Sequence, residues 1–290
     1  MREQGPFAIP PEPAAARDIF DLTGRVAIIT GGAGMLGRRY AEAIAAYGGM
    51  PVLADLSREA IDDGIRAIRD ATGVEATGIE VDVARKDEVQ AMVDEVTRKH
   101  GRIDILVNNA ALTVRGGSES LEGYFAPFED YPLDLWQRAL DVNLTGTFLV
   151  TQAAGRVMVE QRRGVVVNVA AVYGTVSPDH RIYEGIRNQY GGPAFNTPIS
   201  YSATKSAIFN FTRYLATYWA DKGIRVNSFT PGAVFDEHDE TFVRNLTFRI
   251  PFGRMAHKDE YRGVMVFLVS DASSYMTGAN VVVDGGWTSW

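Results

Sequence analysis

From Arg25 onward short apolar runs alternate with segments of helical length: RVAII, PVLAD, GIEVDV, IDILVNN, GVVVNVA, IRVNSF and NVVVDG. The runs are continuous rather than alternating, as in strands covered by helices on both faces. Their rhythm predicts parallel βαβ units, and so an α/β fold with one doubly wound parallel sheet of seven strands. In such a sheet ligands sit beyond the carboxyl ends of the strands, so the residues just after each run are the ones to inspect.

After the first run comes TGGAGMLG, Thr30 to Gly37, followed by the helical pattern RRYAEAIAAYG. Glycines at Gly31, Gly34 and Gly37 let a backbone turn approach a pyrophosphate, whose charge rests on the helix N-terminus that Met35 and Leu36 begin. The second run ends in Asp55, where a carboxylate accepts hydrogen bonds from ribose hydroxyls or simply caps the next helix. Its charge would repel a 2′-phosphate and the next residue is Leu56, which favours NAD over NADP, although Arg38 and Arg39 keep NADP open. Asp82 and Val83 close the third run; Asn108, Asn109 and Ala110 close the fourth, with Ala111 next. Asn143 falls inside a helical pattern, DVNLTGTF, where asparagine has poor propensity and needs a buried partner.

YSATK places Tyr201 and Lys205 four apart on one helix face. With 12 tyrosines and 5 lysines in 290 residues, roughly 0.2 such pairs arise by chance. A nearby ammonium favours phenolate, so the pair predicts a tyrosine whose pKa is lowered into a useful acid/base range. The flanking SAIFNFTRYLATYWA reads as a largely buried helix.

Composition narrows the partners. A net charge of −7 with scattered arginines argues against nucleic acid and anionic membrane. The absence of cysteine removes disulfide and thiolate chemistry. The first twenty residues carry Pro6, Pro10, Pro11 and Pro13 and lack an apolar signal segment, so the expectation is a soluble cytoplasmic protein. Residues 1–20 read as an extended arm or a tail, and 21–290 as one domain.

Together these residues resemble the short-chain dehydrogenase/reductase family, over about Phe20 to the C-terminus. TGGAGMLG, Asp55, NNAA, Asn143, YSATK, the TPG of Thr230 to Gly232 and YMTGANVVVDGG fall in family order. The resemblance implies a Rossmann fold, with Tyr201 as catalytic acid/base and Lys205 holding the nicotinamide ribose. It further implies Asn143 anchoring a water, Val234 meeting the carboxamide, and Pro231 and Gly232 beside the cofactor. DLWQRALDVNLTGTF, SPDHRIYEG and DGGWTSW are similar to gluconate 5-dehydrogenase-like and flagellin-modification members, which implies a sugar, sugar acid or polyol substrate. The family's habit is a tetramer or dimer, and the aromatic helix Ser202 to Ala220 is a candidate shared face.

Three departures stand out. The glycine spacing is TGxxGxxG, like the family's extended sugar-nucleotide branch, whose epimerase chemistry is a third reading. Asp236 stands where a threonine is usual. Ala171 stands where the family's substrate-orienting serine falls, a loss that typically costs on the order of 100 to 1000-fold in rate. Three readings fit Ala171: an engineered inactivation, a natural loss in a protein that only binds NAD(H), or replacement by another hydroxyl, with Thr175 and Ser177 as candidates. About thirty residues separate Ala171 from Tyr201, well over the usual spacing, so 178–199 reads as a substrate-side insertion. With Tyr173 it offers Asp179, His180, Arg181, Tyr183, Glu184 and Arg187 to a polar substrate; 235–254 is a second substrate loop. No ligand spacing supports a metal site at His180 or His238.

Overall fold

Each apolar run forms a strand. The computed structural model describes residues 18–112, 123–186 and 196–290. The strands are β1 (Val26–Thr30), β2 (Met50–Asp55), β3 (Thr77–Glu80), β4 (Ile105–Asn108), β5 (Gly164–Val169), β6 (Ile224–Pro231) and β7 (Asn280–Val283). They form one parallel sheet in the order β3-β2-β1-β4-β5-β6-β7. The order reverses beside β1, so the helices that follow β1 and β4 diverge and leave a crevice between them.

Period-two geometry sends alternate strand residues to opposite layers. Val26 and Ile28 join one core with α3 (Lys86–His100), α5 (Thr147–Gln161) and α7 (Ile199–Tyr218). Ala27 and Ile29 join the other with α1 (Met35–Ala46), α2 (Arg58–Thr72) and α9 (Arg262–Val269). Local signals set the helix ends. Ser57 Oγ accepts from Ala60 N at the start of α2, and Gly73, at φ 74°, closes it in the left-handed conformation.

Between α4 (Leu133–Leu140) and α5 the helix widens into a π turn, Asp141–Gly146. Gly146 lies where a Cβ would come 2.8 Å from Val83 Cγ2, so a glycine lets this turn press on the chain leaving β3. Two further short helices, α6 (Val172–Thr175) and α8 (Glu240–Thr247), stand over the same sheet edge. The aromatic helix differs from its sequence reading: α7 buries Thr204, Lys205, Ile208 and Leu215 but exposes Tyr214 and Tyr218. No helix among the described residues is long and apolar enough to cross a membrane. Residues 1–17, with the four prolines, lie outside the described residues, as do 187–195 of the insertion.

Candidate active site

At the carboxyl ends of β1 to β4 a cleft of about 260 Å³ gathers most of the residues singled out for a dinucleotide. Gly31, Gly34, Met35 and Leu36 come from the first turn, Asp55 and Leu56 from the second. Asp82 and Val83 come from the third, and Asn109, Ala110 and Ala111 from the fourth. The turn is built for close approach. Gly31 has φ 60° and a Cβ there would lie 3.0 Å from Ala110 Cα; a Cβ on Gly37 would fall 2.1 Å from Gly31 O. Helix α1 starts at Gly34 with no side-chain cap and no acidic residue in its first turn, which leaves its N–H groups and positive dipole end for an anion.

Neighbouring side chains stiffen this turn. Thr30 Oγ1 accepts from Asn109 N (3.0 Å) and Ala110 N (3.1 Å), and Asn109 Nδ2 donates to Thr30 O (3.0 Å) and Gly31 O (3.1 Å). Asp55 Oδ2 accepts from Ala33 N at 2.9 Å and Oδ1 from Leu56 N at 2.8 Å, so the carboxylate is fixed at the rim with acceptor capacity left over. Asp82 Oδ1 caps its own turn through Ala84 N. Arg39 is spoken for by Glu42 and Asp259. A backbone cradle, an uncapped helix start and a carboxylate at the end of β2 fit a pyridine dinucleotide.

Beside the cleft stand Tyr201 and Lys205 on α7. The ammonium lies 5.8 Å from the Tyr201 ring centroid and donates to Val169 O at 2.8 Å, beyond the end of β5. Burial pulls Lys205 down to about 8 and pushes Tyr201 up to about 12. This corrects the expectation of a lowered phenol: in the chain alone burial disfavours the phenolate and raises it. Asn143 has the buried partners its position demanded. Its Oδ1 accepts from Leu112 N (2.7 Å) and its Nδ2 donates to Thr204 Oγ1 (3.0 Å), tying the π turn to α7 one residue from Lys205.

Ala171 is buried at 6% exposure and opens α6 with no side-chain cap. Helix α6 sits hard against α7: a Cβ on Gly174 would lie 2.6 Å from Lys205 O, and Ser206 Oγ donates to Gly174 O at 2.9 Å. Position 171 therefore starts a turn packed on the Tyr201–Lys205 segment. Thr175 and Ser177, the candidate replacement hydroxyls, are both exposed.

The described parts of the insertion, 178–186 and 196–199, pack beside this region. Ile182 is buried with Leu246, Ile250 and Met255, and Tyr173, Tyr183, Phe242 and Trp287 pack around them. Tyr183 stacks on Phe242 (5.8 Å, 10°) and its hydroxyl is hydrogen-bonded to Thr197 Oγ1. Tyr173 shares hydroxyl hydrogen bonds with Tyr183 and Thr197, and burial raises its phenol. Sequence reasoning missed Thr197 and its neighbour Asn196, whose Nδ2 donates to Phe125 O. The uncharged residues just before YSATK were the available signal.

Arg181 is engaged within its own loop. Its side chain is 72% exposed and pairs with Asp179 at 2.9 Å, which holds that carboxyl down at about 2. Asp179 caps the turn at Arg181 N and also pairs with Arg249, so one carboxylate ties both cations to the loop. His180 is exposed, its ring 6.4 Å from Tyr183. On the far side of the site Gly232 N donates to Val283 O, Val234 bridges Ala256, and Asp236 N donates to His238 Nδ1. Pro231 ends β6. Among the described residues no three His, Asp or Glu side chains are placed to hold a metal ion.

Comparison with known proteins agrees with this arrangement. A family model described as enoyl-(acyl carrier protein) reductase matches residues 31–288. The chain belongs to the short-chain dehydrogenase/reductase family. It is an oxidoreductase of that family. D-threitol dehydrogenase of Mycolicibacterium smegmatis is 34% identical over 274 residues, covering 93% of this chain and 95% of the relative. A gluconate 5-dehydrogenase structure from Burkholderia cenocepacia, in complex with NADP and tartrate, is 33% identical with TM-score 0.80 over 95% of this chain and 100% of that one. An NAD+-bound xylitol dehydrogenase structure is 30% identical with TM-score 0.79 over 91% and 99%.

Proposed function

We propose that this short-chain dehydrogenase/reductase uses NAD to interconvert a secondary alcohol and ketone of a sugar, sugar acid or polyol, with Tyr201 carrying the proton. The observation that carries the reading is the Tyr201–Lys205 pair set beside the glycine-turn cleft on one sheet edge. Names of relatives that act on threitol, xylitol and gluconate support the substrate class. Asp55 and Leu56 at the rim support NAD, since the carboxylate repels a 2′-phosphate and no cation follows it.

When bound, the nicotinamide supplies or accepts the hydride and, oxidised, a positive charge. The first turn, Asp55, Pro231, Gly232 and Val234 hold and orient the dinucleotide. Tyr201 Oη takes the alcohol proton in oxidation and returns it in reduction. Since burial holds that phenol near 12, it serves as a base only when cationic charge is brought beside it. Lys205 provides part of that charge, and Asn143 fixes the π turn against its helix. The half-buried, hydroxyl-rich group of Tyr173, Tyr183 and Thr197 suits a polyhydroxylated substrate.

The protein is read further as a cytoplasmic homodimer or homotetramer joined through α5 and α7. Support comes from a groove of about 380 Å³ between them that exposes Phe148, Tyr214 and Tyr218. Formation of reduced nicotinamide on a panel of sugars, sugar acids and polyols, with NAD and NADP side by side, tests the function. Turnover on a polyol with NAD supports it. A second reading, a protein that binds NAD(H) without turnover, rests on Ala171; it predicts tight binding and silence across the panel.

A further inference from the structure

Position 171 carries a methyl where an orienting hydroxyl would start α6, yet three hydroxyls converge two to twenty-six residues downstream. Tyr173, Tyr183 and Thr197 form one hydrogen-bonded group. Its anchoring is rigid. The Tyr183 ring stacks on Phe242, the neighbouring Ile182 is 1% exposed, and Asn245 Nδ2 donates to both Ile182 O (3.2 Å) and Glu184 O (3.1 Å). Thr197 lies four residues before Tyr201, at the foot of the same helix.

We propose that Tyr183, delivered by the 178–199 insertion, is the substrate-orienting hydroxyl donor that Ala171 leaves missing, and that Tyr173 and Thr197 position it. Three observations converge on this residue. The Tyr183 hydroxyl is hydrogen-bonded to Thr197, four residues before Tyr201, which ties it to the foot of the helix that carries Tyr201. A phenol O–H is a donor, as the function requires, and the Tyr173 and Thr197 hydroxyls fix its direction. Thr175 and Ser177 are exposed and lack the packing that fixes Tyr183. A preorganised donor aimed at the reacting oxygen acts on developing charge wherever in the chain it originates. A long insertion then has a chemical purpose: it carries a hydroxyl to the group formed by Tyr173 and Thr197.

This inference rests on the oxidoreductase reading, and the experiment separates the two. Steady-state kinetics on the best panel substrate are compared for the parent, Tyr183→Phe, Thr197→Val, Ala171→Ser and Tyr183→Phe/Ala171→Ser, with NADH affinity measured by fluorescence. Phenylalanine keeps the stacking ring. Tyr183→Phe is expected to lower kcat/KM by about 100-fold or more while NADH affinity stays within about twofold, and Thr197→Val to lose about tenfold. Adding Ala171→Ser to Tyr183→Phe is expected to restore about tenfold or more. Tyr183→Phe within about threefold of the parent overturns the proposal. A silent parent overturns it too: activity in Ala171→Ser alone then preserves the oxidoreductase reading, and silence in both removes that reading as well.

Discussion

The two halves of the site are assembled in different ways. The nucleotide side is made of turns that directly follow strands, and its polar groups are held by backbone: Asn109 grips Thr30 O and Gly31 O, and Asp55 grips Ala33 N. The substrate side is made of side chains from separate segments that meet only in the fold, as Tyr173, Tyr183 and Thr197 do under α8. A parallel sheet dictates the first arrangement, because each strand must deliver its next residue to the same edge. It leaves the second free to vary, and substrate choice sits where the fold constrains the chain least.

The sharpest test of that division is the residue between the halves. Tyr201→Phe removes the proton carrier but keeps the ring, so kcat is expected to fall by about 100 to 10,000-fold while NADH affinity stays within about threefold. A parallel collapse of cofactor binding would break the separation of the halves.

Lys205 probes the same boundary through pH. Burial lowers it from 10.5 to about 8. Below about 8 both folded and unfolded chains hold the proton and the folded state carries the full desolvation cost. Between about 8 and 10.5 only the unfolded chain holds it, so this group adds stability as pH rises, by roughly 3 kcal/mol in all. Tyr201 acts oppositely above 10, since the folded phenol keeps its proton up to about 12 and stability declines there. Denaturant unfolding of the cofactor-free protein at pH 7, 8, 9 and 10 is expected to show the gap between parent and Lys205→Met changing in the parent's favour across that window. A constant gap would mean that the ammonium is solvated.

Much of this is legible in the sequence, and the boundary follows the same division. Seven apolar runs became seven strands, and eleven nucleotide residues fell into one cleft, because strand-turn-helix spacing is local. Asn143's need for a partner was legible; the π turn around it was not, since one extra residue in a helical turn leaves no periodic mark. The upward displacement of Tyr201 was misread because the sequence shows the lysine and hides the desolvation. The Tyr183–Thr197 bond spans an insertion, and nothing in the spacing announces it.

On the nucleotide side the rim can be rewritten with less effect. Leu56→Arg places a cation beside Asp55 Oδ1, and with Asp55→Asn it removes the charge that opposes a 2′-phosphate. The NAD/NADP ratio of kcat/KM is expected to drop by about 10 to 100-fold, with kcat on the polyol changed much less. A shift in substrate ranking instead would show the two halves to be coupled.

The smallest effect is expected at Arg181, although its charge made it a plausible substrate ligand in the sequence. Its guanidinium is solvated and engaged by Asp179, a surface pair worth on the order of 0 to 1 kcal/mol. Asp179 keeps Arg249 as a second partner when Arg181 is removed, so the loop retains an ion pair to the segment after α8. Arg181→Ala is therefore expected to leave kcat/KM for a sugar acid and for a neutral polyol each within about twofold. A selective loss on the acid would give the residue a carboxylate to bind, and would move substrate recognition outward from the half-buried hydroxyls to the rim of the insertion.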